Sequence, residues 1–134
     1  MEAGLSPGQV RQGLRMARRM LPNFERFIAR LGHEMFLMEP LAYHSAILFE
    51  SMGCAYSQGL RRMERIHQEF QPGGELYNRL DGSTPFRMPG AEKTVRGRSW
   101  AIHDGILTEL YTDYHMYKVV GKHAGACTFP NYEW

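Results

Sequence analysis

The run Gln71-Pro72-Gly73-Gly74 divides the chain into two kinds of text. Before it, apolar residues recur every three or four positions, and capping residues precede them. After it come glycine, proline, aromatic residues and short alternating runs. Helical spacing buries one stripe of a helix, and alternation buries one face of a strand. The pattern predicts an α+β fold, with about four helices over residues 6–70 followed by a small antiparallel sheet with long loops. Residues 1–134 read as one domain, with a helical half (1–70) and a sheet-and-loop half (75–134).

A chain of 134 residues buries roughly two-thirds of its unfolded surface, enough for a core without staples. At 43% hydrophobic and 22% charged it reads as soluble and globular rather than disordered. No apolar run approaches the roughly 18 residues of a membrane span, and the first residues lack the basic and apolar regions of a signal peptide. These features predict a cytoplasmic protein with no membrane contact. Cys54 and Cys127, one in each half, read as free thiols of a reducing compartment.

Charge is uneven. Residues 1–32 carry six arginines against two glutamates, a net +4, and the remainder carries −2. A basic first helix on a near-neutral body predicts a small anionic ligand or an acidic neighbouring subunit. Arg11, Arg15 and Arg18 are the candidate ligand-binding residues. Nucleic acid is not the expected partner, because Phe24 and Phe27 fall on the predicted core stripe instead of interleaving with the arginines.

Ser6-Pro7-Gly8-Gln9 has the order of an N-cap, a first-turn proline and a capping box. Pro22 should end that helix. Asn23 should cap a second, with Phe24, Phe27, Ile28 and Leu31 as its stripe and Gly32 as its stop. Met35–Met38 fits a buried strand or a helix tail. Leu41–Met52 is apolar nearly all round and predicts the central helix, and Leu60, Met63, Ile66 and Phe70 mark another. Beyond the seam, residues 83–99 read as a long surface loop. His103-Asp104-Gly105 reads as a hairpin tip, Tyr114–Val120 as a strand, and Ala126–Phe129 as a last short strand.

Motifs for chemistry are sparse. Glu64 and His67 share a helical face and read as a surface pair. Asp113 and His115, two apart on a strand, would point the same way. With His103 or His123 they are the candidates for a divalent transition metal. His123 and Cys127 could form a thiol–imidazole pair. There is no serine in a nucleophile elbow and no phosphate-binding loop with its lysine.

Arg11-Gln12-Gly13-Leu14-Arg15, the run Met35–Met38, and Ala46-Ile47-Leu48-Phe49-Glu50 leading to Gly53-Cys54 follow one another at suggestive spacing. Residues 7 to about 56 thereby resemble the second half of a GNAT acyltransferase. In that family a basic glycine loop opens a helix, a strand follows, and a second helix ends in a Tyr-Glu pair and a glycine step. The resemblance implies acetyl-CoA as cofactor. Phe49 stands where the family often has the tyrosine that protonates the leaving thiolate, the loop lacks its second small residue, and the family's first half has no counterpart here.

The expected function is a small soluble binding or interaction domain, self-associating as a homodimer through its aromatic C-terminal half, with no catalysis assigned. The alternative is an enzyme, either acyl-CoA-dependent in the GNAT manner or metal-dependent through Asp113 and His115. The chain also reads as a possible piece of a larger protein.

Overall fold

The structure, a computed structural model, describes residues 14–134, the first five as backbone alone. The chain folds as α+β. Five helices, α1 (Leu14–Arg30), α2 (Tyr43–Ser51), α3 (Leu60–Glu69), α4 (Glu75–Asn78) and α5 (Val95–His103), surround three strands, β1 (Met35–Met38), β2 (Ala55–Gln58) and β3 (His115–Val119). The sheet is antiparallel in the order β1-β3-β2. Two of its strands lie before the seam and two of the helices, α4 and α5, lie after it, so the two halves interleave through β3. The capping box at Ser6 lies outside the described residues.

Two local expectations are corrected. Pro22 does not end the first helix. It sits inside α1, which runs on to Arg30. Proline removes one N–H and costs about 3 kcal/mol in a helix interior, but the neighbouring residues Met20, Asn23 and Phe24 are exposed, so the freed carbonyl region is open to water. The segment around Trp100 forms a helix, where the sequence predicted a hairpin. Thr94 caps it by accepting the Gly97 N–H at 2.9 Å. The Val95 and Arg96 N–H groups donate to the carbonyls of Glu133 and Trp134 at 2.8 and 3.0 Å. The first-turn donors that a helix leaves unpaired are thus met by the last two residues of the chain, which local sequence cannot reveal.

The core gathers Tyr43, Ala46 and Ile47 of α2, Met63 and Ile66 of α3, Val95 and Ala101 of α5, and Met116 of β3. α2 is central, as its all-round apolar pattern predicts. On the sheet's inner face Met38 pairs with Met116 and Phe36 with Lys118. On the outer face Leu37 and Ala55 both pair with Tyr117, and Met35 pairs with Val119. Gly53 ends the α2 turn at φ +95°, and a Cβ there would lie 2.9 Å from the His123 ring. Backbone shape and a close neighbour both exclude a side chain.

Candidate functional site

α1 touches the body along one narrow line. Leu21, Glu25 and Ile28 are half-buried. The Glu25 carboxylate meets Lys118 Nζ at 3.1 Å, and the Phe24 ring meets Phe36 edge-on at 5.0 Å. Of the stripe that the sequence assigned to the core, Phe24, Phe27 and Leu31 are in solvent and Ile28 is half-buried; Met20 is exposed beside them. The periodicity was legible, but an amphipathic stripe states that a helix is to be covered and not by what. Met35 and Leu37, whose side chains lie on the opposite face of β1 from α1, are exposed as well, Leu37 being 72% exposed.

β1 is also a free edge. The Val120 N–H bonds the Glu34 carbonyl at 2.8 Å, which makes Glu34 and Val120 a hydrogen-bonded pair. Antiparallel pairs alternate, so Met35 and Leu37 turn their N–H and C=O groups away from β3. Among the described residues nothing bonds to them. The other edge differs. β2 breaks register between Tyr56 and Gln58 and exposes Ser57 and Gln58, the kind of bulged polar edge that resists pairing.

Inside the body the buried groups are polar. Arg98 is 2% exposed. Its Nε donates to the Glu92 carbonyl at 2.7 Å, and its Nη1 to the Tyr43 hydroxyl at 3.2 Å and to His67 Nδ1 at 3.1 Å. The guanidinium lies 3.5 Å from the centre of the Phe129 ring. Because arginine only donates, His67 must accept at Nδ1 and be neutral. Burial, with Arg98 beside it, holds its pKa below the usual value. Glu50 accepts from the Thr128 N–H at 2.8 Å, from the Thr128 hydroxyl at 2.6 Å and from the Tyr56 hydroxyl. Burial and the Glu50 carboxylate push the Tyr56 pKa far up.

His44 Nδ1 and Ser99 Oγ share a buried 2.8 Å hydrogen bond beside a cavity of about 260 Å³. Burial lowers the His44 pKa to about 4. Among the described residues no carboxylate holds the ring from behind. Ser99 sits inside α5, where backbone N–H groups are already bonded within the helix. A nucleophile paired with a base also needs a donor pair for the oxyanion, and the helix-bonded N–H groups around Ser99 do not offer one. The pair joins α2 to α5. The Cys54 thiol is raised to about 11 by burial and is correspondingly inert.

The sequence candidates fare unevenly. Arg11 lies outside the described residues, and Arg15 and Arg18 are placed only as backbone positions in α1. Asp113 has φ +62° and precedes β3, so it does not share a strand face with His115. His103 closes α5 against Trp100, and His123 accepts from the Gly125 N–H. Among the described residues no three metal-ligating side chains converge, and no hydrogen bond joins His123 to Cys127. Arg98 and Glu50 escaped the sequence reading, though each is a charged residue at a helix position whose spacing matches buried neighbours. No helix of the described residues is long and apolar enough to cross a membrane.

The aromatic C-terminal half forms no bare patch of the kind expected. Tyr111, Tyr132 and Trp134 pack against the chain's own core, and Tyr111 stacks on Tyr114 at 4.0 Å. No known protein family, curated protein or solved structure matches the chain.

Proposed function

We propose that this chain is an interaction domain that docks a polypeptide partner on its α1–β1 end. The observation that supports this reading is the exposed α1 stripe of Met20, Phe24, Phe27 and Leu31, beside the free edge of β1, whose opposite face exposes Met35 and Leu37. Monomers rarely leave contiguous apolar surface bare, and such surface marks interaction sites. Elsewhere the buried charged groups Arg98 and Glu50 are bonded to the chain's own groups and so are not free to meet a partner. The test is a photo-cross-linking residue placed at Leu37 or, as a control, at the exposed Asn78, in cells that make the protein. A discrete adduct from position 37, lost when Phe27→Glu is added, is the expected result. Its mass separates a second copy of the chain from another polypeptide. Equal adducts from both positions, or none, would overturn the reading.

A second reading is the acyl-CoA-dependent enzyme, and one observation favours it. The chain runs α1, β1, α2 and the Gly53 turn in the order that the GNAT resemblance implies. Phe49 offers no proton for a leaving thiolate. The reading therefore predicts acetyl-CoA binding without efficient transfer. Isothermal titration with acetyl-CoA decides it, and the absence of heat with unlabelled protein at high concentration counts against it.

A further inference from the structure

The docking reading leaves the partner undefined, and the placement of α1 narrows it. Successive helix residues are about 100° apart. Glu25 faces Lys118 on the central strand, while Phe24, one step back around the helix, meets Phe36 on the edge strand. Moving around α1 from Glu25 to Phe24 therefore moves outward across the sheet, from β3 to β1. Phe27 lies about 60° further in the same sense, with Met20 and Leu31 between. The exposed stripe thus projects beyond the free edge of β1. A gap results, bounded on one side by apolar helix and on the other by the unpaired N–H and C=O groups of Met35 and Leu37.

Past the stripe, in the same rotational sense, come Arg19, Arg26 and Arg30. All three are exposed, and among the described residues no carboxylate pairs with them. α1 holds five arginines and one glutamate, and that glutamate is engaged by Lys118.

We infer that the gap receives an extended acidic segment of another polypeptide, added to β1 as a fourth strand. The segment's main chain pairs with Met35 and Leu37. Its apolar side chains on the face toward α1 cover Phe24 and Phe27, and carboxylates on the residues flanking the paired stretch reach the arginine row. This is strand addition, in which backbone bonds supply affinity and alternate side chains supply choice. β1 suits it, being regular and free of lysine, proline and bulge, whereas β2 does not. A second copy suits it poorly, because pairing β1 with itself would bring two strongly basic helices onto one face of a joint sheet, where like charges oppose each other. The inference rests on the docking reading and adds the partner's conformation and charge.

The experiment uses the full chain and three labelled synthetic peptides. One has an alternating valine–threonine stretch flanked by glutamates, one has the same stretch flanked by lysines, and one is the glutamate peptide with alternate backbone amides methylated. Binding is read by fluorescence anisotropy, and edge pairing by hydrogen exchange at the Met35 and Leu37 amides. The glutamate peptide should bind and slow exchange at both amides, and the other two should not. Arg26→Glu combined with Arg30→Glu should weaken the glutamate peptide about tenfold and admit the lysine peptide. Equal binding of all three, or binding without slowed exchange at positions 35 and 37, would overturn the inference. Slowed exchange there in a dimer of the chain alone would also overturn it by naming a second copy as occupant. If the Leu37 cross-link forms but no peptide binds, docking stands and strand addition falls. If neither occurs, both fall.

Discussion

At the α1–β1 end, Phe27 and Leu37 stand in solvent while the Glu25–Lys118 ion pair and the Phe24–Phe36 contact hold the helix. In the α2–α5 body, Arg98 and Glu50 are buried and hydrogen-bonded, and Arg98 also lies over the Phe129 ring. The two regions invert the usual distribution in opposite directions. In the body Arg98 and Glu50 are satisfied internally and the C-terminal residues close the first turn of α5, although Arg96 Nε is buried without a partner among the described residues and Leu41 and Leu110 are exposed. The α1–β1 end is unfinished, with apolar side chains and strand donors that the described chain does not cover.

The contrast breaks most easily at Arg98. Arg98→Ala should destabilise the fold by about 3–5 kcal/mol, because it strands the Tyr43 hydroxyl and the Glu92 carbonyl and opens a void over Phe129. Urea denaturation measures it. A loss under about 1 kcal/mol would mean that the body is held by its apolar contacts alone. Leu48→Ala, a cavity in the central helix, should follow at about 2–4 kcal/mol by the same measurement.

A smaller effect is expected from pH. The His44 pKa of about 4 in the fold lies below its ordinary 6.5, so the unfolded chain binds more protons between these values. Stability from this group is complete above pH 6.5 and is lost as pH falls toward 4, by roughly 2–3 kcal/mol. His67, also lowered, acts in the same direction. Denaturant midpoints across that range should show the slope, and His44→Gln should flatten most of it. An unchanged slope in the variant would place the acid sensitivity elsewhere.

The smallest stability effect sharpens the comparison. Leu37→Thr, at an exposed position of the open edge, should change stability by less than about 0.5 kcal/mol. A large loss on thermal melting would show that the end is already covered in solution.

The sequence determined the elements whose own residues decide them. Tyr43–Ser51 is helical and central because its apolar residues leave no polar face. The strand near Tyr114–Val120 followed from alternation, and the α+β class followed from the two periodicities. Tertiary structure decided the rest. β1 is a strand because β3 pairs with it from some 80 residues away, and residues 95–103 are a helix because the chain's last residues meet its first N–H groups. The stripe on α1 shows the same division. Its spacing was fixed by the sequence, but whether Phe24 and Phe27 lie in the core or beyond the sheet edge depends on where the helix lands. That landing is set by Glu25 and Phe24 meeting Lys118 and Phe36, contacts between residues distant in the chain that no local pattern encodes.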